Sequence, residues 1–379
     1  MGDFDDDLDH LASELNLVAP QRPAEAPGSP RSVESWLRRL RELQGSDLLL
    51  VTGAPPVVRV SGRLVPTSEL VLGADDIKAA VVPLVPARLQ ETYRSGTAID
   101  VAFTVRGLGR FRMNFHREHG RPAAAIRALP LRIPKIADLH FTHDISALST
   151  LQRGLVLIGG PTGSGKTTTL AAIVGEINNR DARHIVTVED PIEYEHTHLR
   201  SLIEQVEIGV DAPDFPTALR SALRQAPDVI VVGEMRDPET MRIALAAAET
   251  GHLVFATVHT TDVAAAVSRI ADAFPTDRQN AVRQELAMSL SAVFTQTLVP
   301  TTSGALMPAA ELLLVSDGSR QHIRKNALQH LHQEITITRK AGSFTFEESL
   351  AKLVEDGVMD RNEARVRASH PEEFDSIRA

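Results

Sequence analysis

The stretch of this chain with the most specific chemistry is Gly160-Pro161-Thr162-Gly163-Ser164-Gly165-Lys166-Thr167. Closely spaced glycines let successive backbone N–H groups turn inward as a nest for an anion, and a helix opening at its end adds positive potential. A lysine in the seventh place reaches the β- and γ-phosphates of a nucleoside triphosphate, and the hydroxyl in the eighth can hold Mg²⁺. Every position of the Walker A pattern is filled. Gly160, Pro161, Thr162, Gly163, Ser164, Gly165, Lys166, Thr167 and Thr168 are therefore the expected nucleotide-binding run. Lys166 is expected on phosphate and Thr167 on the metal.

Carboxylates recur downstream at two stations. Glu189, Asp190, Glu193 and Glu195 follow the apolar run Ile185–Val188, and Glu234 follows Val229–Val232 in Val-Ile-Val-Val-Gly-Glu. In an open α/β sheet the active crevice lies outside the carboxyl ends of the strands, so Glu189 and Glu234 should point toward the phosphate loop. Glu234 then stands where a Walker B acid holds a metal-bound water or orients the attacking one. Glu193 and Glu195 read as surface residues. Asp237 reads as a helix N-cap with Pro238 at the first helical position, which is structural reason enough for it. His252 and His259 flank the run Leu253–Val258; their odd separation puts them on opposite faces of a straight strand, so a shared metal is not expected. His259, at the carboxyl end, can meet a γ-phosphate. Between residues 106 and 127 there are six arginines (106, 110, 112, 117, 121, 127) and no lysine. The planar guanidinium fork suits phosphate, so this cluster reads either as arginine fingers or as a basic surface balancing an acidic remainder.

Positioning these groups requires two kinds of element. Beyond about residue 137, short apolar runs (Leu155–Ile158, Ile185–Val188, Val229–Val232, Leu253–Val258) alternate with helical patterns. Leu170, Ile173, Val174 and Ile177 are one such pattern, opening directly at the phosphate loop. That is the signature of buried parallel strands in an α/β sheet covered on both faces. Between about 47 and 130 the period is two. Ile99, Val101, Phe103 and Val105, then Phe111, Met113 and Phe115, alternate with polar or small residues around a turn at Gly107 and Gly109. Together with Leu48–Thr52 and Val57–Val60 they predict a small α+β domain on an antiparallel sheet. A helix fits Val33–Leu43. Residues 1–30, with Asp3, Asp5, Asp6, Asp7 and Asp9 followed by Pro20, Pro23, Pro27 and Pro30, read as a disordered acidic and proline-rich tail. The expected division is thus a tail at 1–30, an N-terminal domain at 31–130, a linker at 131–136 and an ATPase domain at 137–379 with a helical C-terminal part.

The 379 residues are enough for two or three domains, and 43% apolar residues can bury a sizeable core. No run approaches the ~18 apolar residues of a membrane span, and the acidic start MGDFDDDLDH does not resemble a signal peptide. Without cysteine there is no disulfide, cysteine-held zinc or thiol nucleophile. The chain therefore reads as cytoplasmic. A net charge of −9 argues against a nucleic-acid partner.

From about residue 32 to 375 the chain resembles the type IV pilus retraction ATPases, the twitching-motility branch of the secretion ATPase superfamily. The motifs carrying the resemblance are GPTGSGKTTTLAA, VEDPIEYEH, DVIVVGEMRD and TGHLVFATVHT, in the family's order and spacing. It implies a PAS-like N-terminal domain, a RecA-like P-loop ATPase domain and a homo-hexameric ring that binds ATP and Mg²⁺. Such a motor acts on the inner-membrane pilus platform protein to depolymerise the pilus, peripheral to that membrane, in some cases beside a second retraction ATPase. The resemblance assigns Glu234 as the catalytic acid and Glu189 to the acidic box that helps place metal and water. It sets His259 near the γ-phosphate, and it matches Arg112 and Arg127 to arginines offered to nucleotide from the N-terminal domain.

The family's Ala-Ile-Arg-Asn-Leu-Ile-Arg-Glu segment appears here as Gly318-Ser319-Arg320-Gln321-His322-Ile323-Arg324-Lys325, and Val206 stands for a family arginine between Gln205 and Glu207. Either departure would fit an accessory paralogue whose retraction activity is weak or depends on a partner motor. An assembly or secretion ATPase would usually carry a four-cysteine insert, which is absent, and a nucleic-acid motor would need a basic, aromatic-interleaved platform. A nucleotide-binding ring component that does not turn over is the remaining alternative.

Overall fold

The computed structural model describes residues 32–68 and 70–377; the tail read at 1–30 lies outside the described residues. The chain divides between Leu129 and Pro130 into two compact units.

In the N-terminal unit, Ser32 caps the helix Val33–Glu42 by accepting from the Ser35 N–H, and Trp36, Leu37 and Leu40 face the core. The antiparallel sheet runs β3-β2-β1-β6-β5-β4, with β1 Asp47–Val51, β2 Val57–Val60, β3 Arg63–Pro66, β4 Ile99–Val105, β5 Gly109–Glu118 and β6 Arg121–Ala128. Phe111, Met113 and Phe115 are wholly buried beneath β5, under the helices Ala74–Val81 and Ala87–Arg94, so Arg110 and Arg112 take the opposite face. Arg41 ties the first helix to the sheet, donating from Nε to the Leu108 carbonyl (2.9 Å) and from Nη2 to that of Leu129 (2.8 Å).

The C-terminal unit is a seven-stranded sheet in the order β13-β12-β7-β11-β10-β8-β9. Its strands are β7 Gly154–Gly159, β8 His184–Glu189, β9 Leu202–Glu207, β10 Val229–Val232, β11 Leu253–Val258, β12 Leu290–Pro300 and β13 Leu306–Leu314. All neighbours are parallel except β12 and β13. Alternate residues feed two cores. Leu155, Leu157, Ile230, Val232, Val254 and Ala256 pack on one face, and Val156, Ile158, Val229, Val231, Leu253 and Phe255 on the other. Both faces are covered, which is why these strands read as unbroken apolar runs. The α/β class expected of this region holds. The sheet is wider than the four apolar runs predict, because β9, β12 and the antiparallel edge β13 carry polar residues that break the pattern, including Glu204, Gln205, Thr295, Gln296 and Glu311.

Beyond β13 the chain is helical (Asp317–Arg324, Leu331–Ile337, Phe346–Glu355, Arg361–Arg367, Pro371–Ser376), and Leu350, Leu353, Met359 and Phe374 form its own small core with Val299. The altered segment at 318–325 forms the first of these helices. Ser319 is buried, its N–H donates to Ser316 Oγ at 3.0 Å, and Ser316 Oγ donates to Glu334 Oε2 at 2.5 Å. A Cβ on Gly318 would stand 2.5 Å from that carboxylate. The glycine and the serine that replace the family's Ala-Ile therefore make one polar seat for Glu334. Arg320 still donates to the Ala287 and Met288 carbonyls, anchoring the end of the helix Thr276–Ser289.

Candidate active site

Register places the chemical residues together. In the central strands Gly159 of β7 pairs with Val258 of β11, Ala256 of β11 with Val232 of β10, and Val232 with Val188 of β8. These four strands are adjacent and parallel, so the segments leaving them emerge along one edge of the sheet. In order across it stand the phosphate loop, His259, Glu234 and Glu189. The connection from β7 to β8 crosses over β11 and β10, the kind of strand-order switch where crevices form in open α/β sheets.

The loop turns from β7 into the helix Lys166–Arg180, whose Leu170, Ile173, Val174 and Ile177 are buried against the sheet. At Gly160, with φ +147°, a Cβ would stand 2.4 Å from the Gln296 carbonyl oxygen and 2.4 Å from Ser164 Oγ, so only glycine fits. Lys166 is buried and donates from Nζ to the carbonyls of Gly160 (2.8 Å) and Pro161 (2.9 Å). Burial pushes its pKa down and the nearby Glu234 charge pushes it up, with a net lowering. Ser164 Oγ is buried without a hydrogen-bond partner among the described residues. Tyr194 donates to Thr168 Oγ1 at 3.0 Å.

Glu234 accepts from Arg236 Nη2 at 2.7 Å through Oε2, and its Oε1 lies 2.9 Å from His259 Nε2. Burial raises its pKa, but Arg236 and His259 outweigh burial and hold it below the ordinary carboxylate range. Glu189 is in the opposite condition. Burial raises its pKa despite donation to Oε1 from Thr187 Oγ1 (2.7 Å) and Gln205 Nε2 (3.1 Å). Two carboxylates at adjacent strand ends are thus shifted in opposite directions, Glu234 down and Glu189 up. Gly233, just before Glu234, lies against the end of β8, its N–H donating to the Val188 carbonyl at 2.8 Å. Glu195 is exposed as expected for a surface residue, whereas Glu193 is half-buried, close enough for its charge to raise Glu189. Asp237 caps the helix Pro238–Glu249, accepting from the Thr240 N–H at 2.9 Å.

Three residues of the site escape motif reading. Gln296, buried on β12, donates from Nε2 to the Ser164 carbonyl (2.6 Å) and accepts from Thr169 Oγ1 (2.7 Å), fastening the loop to its helix. No sequence signal singles it out, because Ser291, Thr295 and Thr297 make the same strand polar at other positions. Arg236 and Gln205 are the partners of the two acids. The Val206 side chain next to Gln205 packs against the core instead of offering a charge.

Arg112 and Arg127 belong to the N-terminal unit, where they are register partners across β5 and β6. Each has a carboxylate beside it: Asp100 Oδ1 at 3.6 Å from Arg112 Nε, and Asp47 Oδ1 at 2.9 Å from Arg127 Nε. The acids offset the repulsion of the paired guanidiniums. Both arginines remain at least 40% exposed, so their forks are accessible.

The profile of the family described as Type II/IV secretion system protein matches residues 128–369. The type IV pilus retraction ATPase PilT of Pseudomonas aeruginosa is 38% identical over 329 residues, covering 87% of this chain and 96% of the relative. The type IV pilus ATPase PilU of the same organism is 35% identical over 336 residues, 88% of each chain. The crystal structure of the pilus retraction motor PilT with bound ADP superposes with a TM-score of 0.85 at 37% identity, covering 91% of this chain and 99% of that one. The chain belongs to the type II/IV secretion system protein family, in its branch of type IV pilus retraction ATPases.

Proposed function

We propose that this chain is a Mg²⁺-dependent ATPase whose turnover drives type IV pilus retraction. One observation carries the reading: a complete phosphate loop, Glu189, Glu234 and His259 share one edge of four adjacent parallel strands, in a chain 38% identical to a pilus retraction ATPase. The loop suits a nucleotide chemically. Its glycines leave backbone N–H groups accessible, the buried Ser164 hydroxyl has no other partner, and the burial that lowers Lys166 is relieved by an adjoining phosphate. That a PilT motor has been solved with ADP supports the same assignment.

In this reading the segment Gly160–Thr168 cradles the phosphates of ATP and Lys166 bonds the β- and γ-oxygens. Thr167 would hold Mg²⁺, with Glu189 and Glu234 contributing partly through water, and a bound ion would supply positive charge against the phosphates. Glu234, ionised across the physiological range, accepts from the attacking water and aims it at the γ-phosphorus. His259 positions that carboxylate by its bond to Oε1 and lies ready to meet the γ-phosphate. Arg112 and Arg127 bring positive charge to the phosphates from the N-terminal unit, with residues 131–136 as the hinge of closure. The last assignment rests on the family resemblance and on the accessible guanidinium pair.

The working form is a homo-hexamer docked on the inner-membrane pilus platform protein, at the cytoplasmic side, with no nucleic-acid partner. No helix among the described residues is long and apolar enough to cross a membrane. The similarity to PilU over an equal span favours one second reading, an accessory retraction ATPase beside a main motor.

The expected outcome in vitro is Mg²⁺-dependent ATP hydrolysis, abolished in Lys166→Ala together with nucleotide binding. In Glu234→Gln turnover drops at least a hundredfold while binding persists. Unchanged turnover in either variant removes the site assignment. In the source organism, deletion should leave cells hyperpiliated and unable to twitch; normal retraction would favour the accessory role.

A further inference from the structure

Far along the chain from the phosphate loop, the C-terminal helices gather His332, Glu347, His370 and Glu373, with one donor atom from each within 4.8 Å of the others. Three elements supply them. His332 lies in Leu331–Ile337, Glu347 in the first turn of Phe346–Glu355, and His370 caps Pro371–Ser376, which carries Glu373 in its first turn. His332 Nε2 bonds Glu373 Oε2. The other Glu373 oxygen accepts from Thr345 Oγ1 at 3.2 Å and lies 3.7 Å from Arg339 Nη2. Glu347 is wholly buried. Its Oε1 accepts the His370 backbone N–H at 2.7 Å and lies 3.5 Å from His370 Nδ1, whereas Oε2 is buried with no hydrogen-bond partner among the described residues.

Two histidine–glutamate ion pairs would be the plain reading, and they account poorly for what is seen. The His332 and His370 rings stack at 3.9 Å between centroids, 26° from parallel, a poor arrangement for two imidazolium ions. Pairing also leaves Glu347 Oε2 bare, and an unsatisfied buried carboxylate oxygen is costly. Two neutral imidazoles and two carboxylates would instead cancel the charge of one divalent cation and satisfy that oxygen.

We propose that His332, Glu347, His370 and Glu373 bind a divalent transition-metal ion, Zn²⁺ by preference, as a structural clamp on the C-terminal helices. A mixed nitrogen–oxygen set of four suits tetrahedral Zn²⁺, while Mg²⁺ and Ca²⁺ favour all-oxygen shells. Thr345 and Arg339 act as outer partners that orient Glu373. The ion would join the helix Pro371–Ser376, whose Phe374 is buried in the small core, to Leu331–Ile337 and Phe346–Glu355, in a chain that has no cysteine for the purpose.

The test uses untagged full-length protein, stripped with EDTA and then equilibrated with Zn²⁺ in excess Mg²⁺. Metal is counted after gel filtration, so the result is independent of ATP turnover. One Zn²⁺ per chain is expected, with a melting temperature raised by about 5 °C. Co²⁺ in its place should give the intense visible bands of a four-coordinate ion. His332→Asn and His370→Asn should each weaken Zn²⁺ binding at least tenfold, while Glu234→Gln, in the nucleotide site, should bind as the unaltered chain does. The proposal fails if the chain retains no Zn²⁺, or if either histidine variant, folded by circular dichroism, holds it undiminished. Should those variants not fold, the cobalt spectrum of the unaltered chain decides, and a purely octahedral spectrum overturns the proposal.

Discussion

Glu311, on β13, is buried beside the start of the helix Val263–Asp272, and both of its hydrogen bonds fall on one oxygen. Oε1 accepts the Val263 N–H at 2.6 Å and Thr295 Oγ1 at 3.1 Å. Burial pushes its pKa up to about 7; those two bonds pull against it, and the charges of Asp262 and Glu347 add to it. The folded state thus keeps a proton that the unfolded chain releases near 4.5. Stability from this group is complete below pH 4.5 and is lost as pH rises to about 7, a fall of about 3 kcal/mol. A glutamine carbonyl can take both bonds without a charge to bury. Glu311→Gln should therefore match the parent at pH 4 and exceed it by about 2–3 kcal/mol at pH 8. Urea unfolding of the C-terminal unit in EDTA reads this, and equal midpoints at pH 8 would refute it. Nothing in the sequence announces Glu311 or Gln296. Each is one polar residue in a buried strand, and its worth depends on a neighbour from a distant segment: Thr295 and Val263 for the former, Ser164 and Thr169 for the latter.

At the scale of elements, the active edge depends on how closely β8 and β10 approach at their ends. Gly233 lets them meet, since a Cβ there would stand 3.0 Å from the Val188 carbonyl oxygen and 3.2 Å from Glu189 Cα, both backbone atoms that cannot swing aside. Gly233→Ala should spread the strand ends and move Glu234 from Glu189. The expected result is a kcat lowered roughly ten- to a hundredfold with nucleotide affinity nearly intact, measured as steady-state turnover beside equilibrium binding. An unaffected kcat would mean that the spacing of the acids is unimportant. The four central strands and the loop were legible because burial on both faces writes continuous apolar runs, and the loop's spacing is fixed by its ligand. Strands β9, β12 and β13 were not. Their polar residues serve tertiary partners, such as Gln205 toward Glu189 and Tyr194, and these blur the periodicity. The histidines and glutamates of the C-terminal helices were equally silent, because His332 and His370 are 38 positions apart and meet only once three helices pack.

For the molecule as a whole, the question is whether turnover belongs to the single chain or to a ring. PilT and PilU relatives match this chain at 38% and 35% identity over similar spans, so identity alone does not separate the two proposed readings, and the proposed ring is common to both. If closure passes from subunit to subunit around a closed ring, one subunit that binds ATP without hydrolysing it stalls its neighbours. Glu234→Gln is suited to this, because it alters the acid and leaves the phosphate loop untouched. With one subunit in six replaced at random, only about one third of hexamers contain none of the variant. Turnover of a mixed, re-equilibrated preparation should accordingly fall toward a third of the parent value, well below the five-sixths of independent chains. Light scattering on the same samples confirms that the rings are intact. A strictly linear decline with variant fraction would show that each chain turns over alone, and the proposed ring mechanism would then have to be abandoned even if the site assignments stood.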